Sequence, residues 1–199
     1  DARTTYLPNA QKLLANPIGF LLRDPTSYHV APLGYAWPAL WRANPMSIQL
    51  LFVLSLMMIW RVCMQLGGLW AAGTCVTLLV THMGLIQHIP HILTEAPYFF
   101  GWTLSVFAAV QALIQPQHRM RWLCLMAVGL TITLLTRPVL QFICMALLVL
   151  CVVARSWKNR WVSRQVAGQV AVALVLALAL PMAVTLKNGV FFGVWGIGT

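Results

Sequence analysis

Residues 81–102, Thr-His-Met-Gly-Leu-Ile-Gln-His-Ile-Pro-His-Ile-Leu-Thr-Glu-Ala-Pro-Tyr-Phe-Phe-Gly-Trp, form a short polar stretch between two long apolar runs. The stretch holds His88, His91 and Glu95, whose spacings of three and four residues place them on one face of a helix. Desolvating a carboxylate beside a bilayer is costly, and Glu95 is one of only three acidic residues in the chain. The position of Glu95 therefore indicates a functional site.

The composition places the chain in a membrane. Hydrophobic residues make up 60% of the 199 residues and charged residues 8%, whereas a soluble domain has about 25% charged residues. The mean hydropathy is +0.81. This length allows roughly six helical spans of about 20 residues each, so the sequence predicts an all-α polytopic transmembrane helix bundle. The five cysteines all lie in apolar runs without CxxC spacing, which indicates buried small hydrophobic side chains.

The chain divides into three predicted parts. Residues 1–47 hold six prolines and many aromatics, and are predicted to be an amphipathic outer loop with interfacial helices at Thr5–Leu14 and Tyr35–Trp41. Residues 48–186 are predicted to form the bundle, and residues 187–199 an outer tail that begins a following loop. Gly67-Gly68 and Arg137-Pro138 are predicted tight turns. The predicted spans are Ser47–Leu66, Leu69–Ile86, Pro97–Ile114, Trp122–Thr136, Val139–Ala154 and Val166–Leu186.

The charge pattern predicts the orientation. The net charge is +10, and the basic residues stand in short tracts between apolar runs, which is typical of topology signals and contact with anionic lipid rather than of nucleic-acid binding. Alternating the spans puts seven basic residues on one side, which the positive-inside rule makes cytoplasmic. These are Arg61, Arg119, Arg121, Arg155, Lys158, Arg160 and Arg164. The acidic residues Asp1, Asp24 and Glu95 then fall on the opposite, outer face.

The outer face would combine three carboxylates with His29, His88, His91, Arg137 and Lys187. A carboxylate there can deprotonate an acceptor hydroxyl while the cations hold a phosphate leaving group. Arginine suits phosphate because its planar fork makes paired hydrogen bonds. A phosphate-bearing lipid could reach this face laterally from the bilayer.

Four segments, in this order, resemble the C-type membrane glycosyltransferases (GT-C fold), of the protein mannosyltransferase and aminoarabinose transferase-like superfamily. Asp1 with Tyr6 and Ala10 resembles the acidic start of the family's first outer loop. Leu93-Thr-Glu-Ala-Pro97 is similar to the second outer-loop motif. Gly129-Leu-Thr-Ile-Thr-Leu-Leu-Thr-Arg-Pro138 resembles a span end that closes on Arg-Pro. Lys187-Asn-Gly-Val-Phe-Phe-Gly193 resembles a stretch that follows a later span.

The resemblance implies a sugar transferase that uses a polyprenyl-phosphate-linked donor at the outer face of a bacterial-type inner membrane. It implies that Asp1 is the catalytic base and that Glu95 assists the acceptor or a metal. Arg137 and Lys187 would contact the donor phosphate, and Tyr6, His88 and His91 would line the substrate site. It leaves a divalent metal ion open as a cofactor. The family fold has more than six spans, so we expect further membrane segments before Asp1 and after the tail.

Other interpretations stay open. His88, His91 and Glu95 offer two imidazoles and a carboxylate, a set that can hold zinc with an open position, as in a membrane hydrolase. A non-catalytic assembly or transport subunit would account for the spans alone. Each residue also has a structural interpretation: Glu95 as a helix N-terminal charge, Arg137 as a snorkelling side chain, and Lys187 as an interfacial anchor.

Overall fold

The computed structural model describes residues 6–29, 31–41, 44, 46–82, 95–137 and 164–196. Every regular element in this part of the chain is helical. Eight α-helices are found there, with a single 3₁₀ turn at Pro116–His118 between the sixth and the seventh. They are α1 (Leu7–Ala15), α2 (Pro17–Arg23), α3 (Thr26–His29), α4 (Pro32–Leu40), α5 (Met46–Thr81), α6 (Glu95–Ile114), α7 (Arg119–Thr136) and α8 (Arg164–Phe192).

Prolines stand at the start of three of the four short helices. Pro8, Pro17 and Pro32 each stand in the first turn of a helix, where the missing N–H costs nothing. The side chain of Asn16 accepts a hydrogen bond from the Gly19 N–H at 2.9 Å and so caps α2. Helices α1 and α4 overlap the two segments that were predicted to be interfacial helices, Thr5–Leu14 and Tyr35–Trp41, with ends shifted by one to three residues.

Helix α5 is interrupted at Gly68, inside the predicted turn. Gly68 has φ 75° and ψ −169°, a conformation that essentially only glycine adopts. Cys63 and Cys75 on either side of it interact, and both line one apolar cavity of about 310 Å³. In a straight helix, twelve residues would separate them by about 18 Å. The chain therefore turns back at Gly68, and α5 consists of two arms.

Helices α6 and α7 form a closely packed antiparallel hairpin. A Cβ atom added at Gly101 would lie 2.8 Å from the Gly129 carbonyl oxygen and 2.7 Å from Thr133 Oγ1. A Cβ atom added at Gly129 would lie 2.6 Å from Ser105 Oγ. Each helix thus presents a pair of small residues four positions apart, the pattern that lets membrane helices approach backbone to backbone. This contact fixes the register of the hairpin.

Helix α8 packs on the other side of α7. Ala173 and Ala177 are fully buried against Leu123 and Ala127. The Thr131 hydroxyl donates to the Ala177 carbonyl across the interface at 3.1 Å. Small side chains and one interhelical hydrogen bond are how helices associate where lipid removes the hydrophobic driving force. The three helices α6, α7 and α8 therefore form the centre of the described bundle.

The structure supports an all-helical integral membrane protein. Within the described residues, four segments are long and apolar enough to cross a membrane: Met46–Thr81, Glu95–Ile114, Pro116–Thr136 and Gln165–Phe192. The first predicted span falls in α5, as does the second as far as Thr81, and residues 83–86 of the second lie outside the described residues. The predicted span Val139–Ala154 also lies outside them. The count of six spans stays a prediction.

Candidate functional site

The end of the α6–α7 hairpin brings two predicted site residues together. Glu95 is the first residue of α6, and Arg137 directly follows the last residue of α7. Arg137 Nη2 donates to Glu95 Oε1 at 2.6 Å. The Arg137 guanidinium also lies over the ring of Tyr98, 5.4 Å from its centroid. We call Glu95, Tyr98 and Arg137 the Glu95–Arg137 site.

The geometry of the hairpin explains this meeting. Helices of 20 and 18 residues joined by a short turn bring the start of one level with the end of the other. The Arg137 N–H donates to the Thr133 carbonyl at 2.9 Å, which holds the backbone of Arg137 against the helix end. Glu95 stands at a helix N-terminus, where a negative charge is stabilised.

The site is open to its surroundings. The Arg137 side chain is 47% exposed and the Glu95 side chain 38% exposed. An ion pair this exposed contributes only about 0–1 kcal/mol, so neither partner is locked in place. Glu95 Oε2 is buried and has no hydrogen-bond partner among the described residues. The arrangement can therefore present a guanidinium to an anion.

Lys187 makes its hydrogen bonds with other helices. Its Nζ donates to the Leu21 carbonyl oxygen at 3.1 Å and to Ser27 Oγ at 3.5 Å, and lies 5.2 Å from the Phe192 ring centroid. Lys187 thus ties α8 to the end of α2 and the start of α3. None of its contacts in the described part of the chain is with Glu95 or Arg137. The predicted role at a donor phosphate stays a prediction.

The residues after Lys187 close the end of α8. Asn188 is fully buried and donates from Nδ2 to the Gly196 carbonyl at 2.6 Å. Gly193 has φ 71°, and its N–H donates to the Gly189 carbonyl at 3.1 Å, as in a left-handed helix cap. A Cβ atom at Gly189 would lie 2.7 Å from the Trp195 ring. The Lys-Asn-Gly segment, noted in the sequence only by resemblance, thus has a packing role there.

A second ion pair joins α1 to the α2–α3 turn. This pairing was not predicted from the sequence. Lys12 Nζ donates to Asp24 Oδ2 at 2.9 Å. Asp24 Oδ1 accepts from the Thr26 hydroxyl at 2.6 Å and the Thr26 N–H at 2.9 Å. These bonds, first that of the Thr26 hydroxyl and then that of Lys12, lower the pKa of Asp24 to about 2. An Asp-Pro-Thr turn is the sequence signal that could have indicated this network.

The remaining predicted site residues are Tyr6, Asp1, His88 and His91. Tyr6 is the N-cap residue of α1 and is partly buried. Asp1, His88 and His91 lie outside the described residues. Tyr98 is a site residue that the sequence analysis missed, although its position three residues after Glu95 puts both on one helix face.

The described residues do not fit a metal site. They contain no group of three or more His, Cys, Asp or Glu side chains that could hold an ion. Glu95 Oε2 alone offers one oxygen, whereas divalent cations such as Mg²⁺ or Ca²⁺ take six or more ligands. The zinc hypothesis needs His88 and His91 and stays a prediction.

No protein-family model, curated protein or solved structure matches the chain. The function must therefore be inferred from the chemistry of the site.

Proposed function

We propose that the chain is part of a membrane glycosyltransferase. It would move a sugar from a polyprenyl-phosphate donor to an acceptor at the outer face of a bacterial-type inner membrane. The observation that best supports the proposal is the 2.6 Å contact between Glu95 and Arg137. These residues are 42 positions apart and come from two segments that resemble different motifs of that family.

The proposed reaction requires a cation at the leaving group. The acceptor hydroxyl attacks the anomeric carbon of the sugar, the bond from that carbon to the phosphate oxygen breaks, and the phosphate leaves with negative charge. Arg137 is a partly exposed guanidinium at a helix end, and its planar donors match phosphate oxygens. Stabilising the charge that develops in the transition state commonly lowers the barrier of such a reaction more than any other effect.

The acceptor must lose a proton in the same reaction. In this proposal Asp1 takes that proton as a general base, and Glu95 orients the acceptor. Lys187 would supply a second positive charge to the donor phosphate. In the structure its Nζ donates to the Leu21 carbonyl on α2 and the Ser27 hydroxyl on α3. The donor lipid enters the site from the bilayer. The long apolar helices support this route, because they are typical of a chain that lies in a membrane.

Sugar transfer in proteoliposomes tests the proposal. The protein that includes this chain and its expected flanking membrane segments would be reconstituted with a panel of radiolabelled polyprenyl-phosphate sugars and assayed for transfer. We expect Arg137→Gln to reduce transfer at least about 100-fold, because it removes the charge that stabilises the leaving phosphate. Arg137→Lys should keep part of the activity, since it retains the charge but loses the paired hydrogen bonds.

Arg23→Gln is the matched control, because Arg23 is an exposed arginine at the end of the short helix α2. It should leave transfer near the wild-type rate. Unchanged transfer in Arg137→Gln, with expression equal to wild type, would contradict the proposal. Asp1→Asn should abolish transfer without changing expression, and retained activity would remove Asp1 from the mechanism.

A further inference from the structure

The Glu95–Arg137 ion pair leaves both partners incompletely bonded. A guanidinium carries five N–H donors, and the described contacts of the Arg137 side chain use one of them for Glu95. On the carboxylate, Oε1 accepts that bond, whereas Oε2 is buried with no partner in the described part of the chain. Leaving a buried oxygen without a hydrogen bond has a cost, and this pair satisfies only one of the two carboxylate oxygens.

The Lys12–Asp24 pair in the same chain provides a comparison, because both oxygens of the Asp24 carboxylate are hydrogen-bonded. Asp24 accepts hydrogen bonds on both oxygens, from Lys12 and twice from Thr26. Asp24 is thus held by neighbours on both sides, whereas Glu95 is held by a single contact. The difference between the two pairs suggests that Glu95 can leave its partner at low cost.

Tyr98 gives Arg137 a second support that does not depend on Glu95. The guanidinium lies 5.4 Å from the centre of the Tyr98 ring, within the range of a cation–π contact. A planar guanidinium can rest on an aromatic ring and still direct its N–H groups sideways to an anion. Arg137 would therefore stay in place when the carboxylate moves away.

We propose that Glu95 is a resident anion that a phosphate-bearing lipid displaces from Arg137. Two anions beside one guanidinium repel each other, so phosphate binding and the Glu95 contact weaken one another. In the unloaded state Glu95 occupies Arg137, and in the loaded state the phosphate takes its place while Tyr98 keeps the guanidinium oriented. The identity of the lipid rests on the proposed function, whereas the exchange on Arg137 does not.

Displacement would also change Glu95. Once released, its carboxylate is free to accept a hydrogen bond from an acceptor hydroxyl. The same contact would therefore make acceptor binding depend on prior donor binding, because only the loaded state frees Glu95. Ordered binding of this kind is a population shift between two states of one ion pair.

Binding of a polyprenyl monophosphate tests the exchange. The purified chain in nanodiscs of zwitterionic lipid would be titrated with polyprenyl monophosphate, and with the uncharged polyprenol for comparison. We expect Glu95→Gln to bind the monophosphate about three- to tenfold more tightly than wild type, since the competing anion is gone. Polyprenol binding should not change.

Asp24→Asn is the matched control, because it also removes one negative charge from an acid paired with a cation. It should leave monophosphate affinity unchanged, which would exclude a general effect of net charge. Equal or weaker binding by Glu95→Gln would overturn the proposal. If Glu95→Gln does not fold, Glu95→Asp takes its place. The shorter side chain weakens the pair, so a smaller gain in affinity is expected, and no gain would overturn the proposal.

Two further results separate this inference from the proposed function. Tighter binding by Glu95→Gln without any sugar transfer by the wild-type chain would support the exchange and count against the transferase. Sugar transfer by wild type with no gain in Glu95→Gln would support the transferase and overturn the exchange.

Discussion

Arg137 and Lys187 are both basic residues near the end of an apolar helix, and the structure uses them differently. Lys187 directs its Nζ to the Leu21 carbonyl and the Ser27 hydroxyl, two neutral acceptors that connect helices. Arg137 meets a carboxylate and an aromatic ring. A compact ammonium suits the first task and a planar fork the second. Arg137 is therefore the stronger candidate for an anion-binding residue.

Asp24 makes the N-terminal helices sensitive to acid. Its pKa is about 2 in the folded chain and 3.8 ordinarily, so the folded state keeps the carboxylate charged to lower pH than the unfolded state. The resulting stabilisation is complete above about pH 4 and is lost as the pH falls towards about 2. We expect the contact between α1 and the α2–α3 turn to loosen in that interval.

Pepsin cleavage within residues 6–29 would measure this loosening. The measured quantity is the cleavage rate of wild type divided by that of Asp24→Asn. This ratio should rise towards one as the pH falls from about 4 to 2, because the variant lacks the ion pair at every pH. Using the ratio removes the pH dependence of the protease itself. A constant ratio over this interval would show that Asp24 does not control the stability of these helices.

At the scale of elements, the α6–α7 hairpin depends on small residues that let the backbones touch. We expect Gly101→Ala to destabilise the protein by about 1–3 kcal/mol, since the new Cβ would meet the Gly129 carbonyl at 2.8 Å and the Thr133 hydroxyl at 2.7 Å. Thermal unfolding in detergent would measure the change. The Glu95–Arg137 contact should weaken with it, because the same packing fixes the register.

Gly73→Ala is the control for this substitution. Gly73 lies in α5 with no atom within 4 Å of an added Cβ, so alanine should be neutral or slightly stabilising in the helix. Equal melting temperatures for the two variants would contradict the proposed role of the glycine contact.

At the scale of the whole molecule, the charge pattern predicts that the two ends of the α6–α7 hairpin face opposite sides of the membrane. Gln11 in α1 and Gln117 in the 3₁₀ turn are both exposed glutamines. In a cysteine-free background, Gln11→Cys should react with an impermeant thiol reagent from outside intact cells. Gln117→Cys should react only after the membrane is opened.

Labelling of both cysteines from the same side would contradict the orientation. It would also contradict the proposed transferase, which requires Glu95 to lie on the outer side together with Gln11. The cysteine-free parent, in which all five native cysteines are replaced, gives the background signal.

The structure and the sequence agree on most of what is local. Hydropathy indicated apolar helices, and the turn signal at Gly67-Gly68 matches the break at Gly68. The helix α7 ends at Thr136, where the predicted span ends, and the predicted tight turn at Arg137-Pro138 stays a prediction. The Gly101–Gly129 contact was not predicted, although small residues four positions apart in an apolar run are a signal for it.

The sequence by itself determined that this is a helical membrane protein, because burying that many apolar side chains in lipid requires helices that satisfy their own backbone. It also indicated Glu95 and Arg137 as candidate site residues, since charged side chains at the edge of an apolar run are costly and often functional. Only the tertiary structure decided that these two residues meet and that Lys187 reaches Leu21 instead. Such contacts depend on how helices far apart in the chain are packed, and that register is set by shape at the helix interfaces.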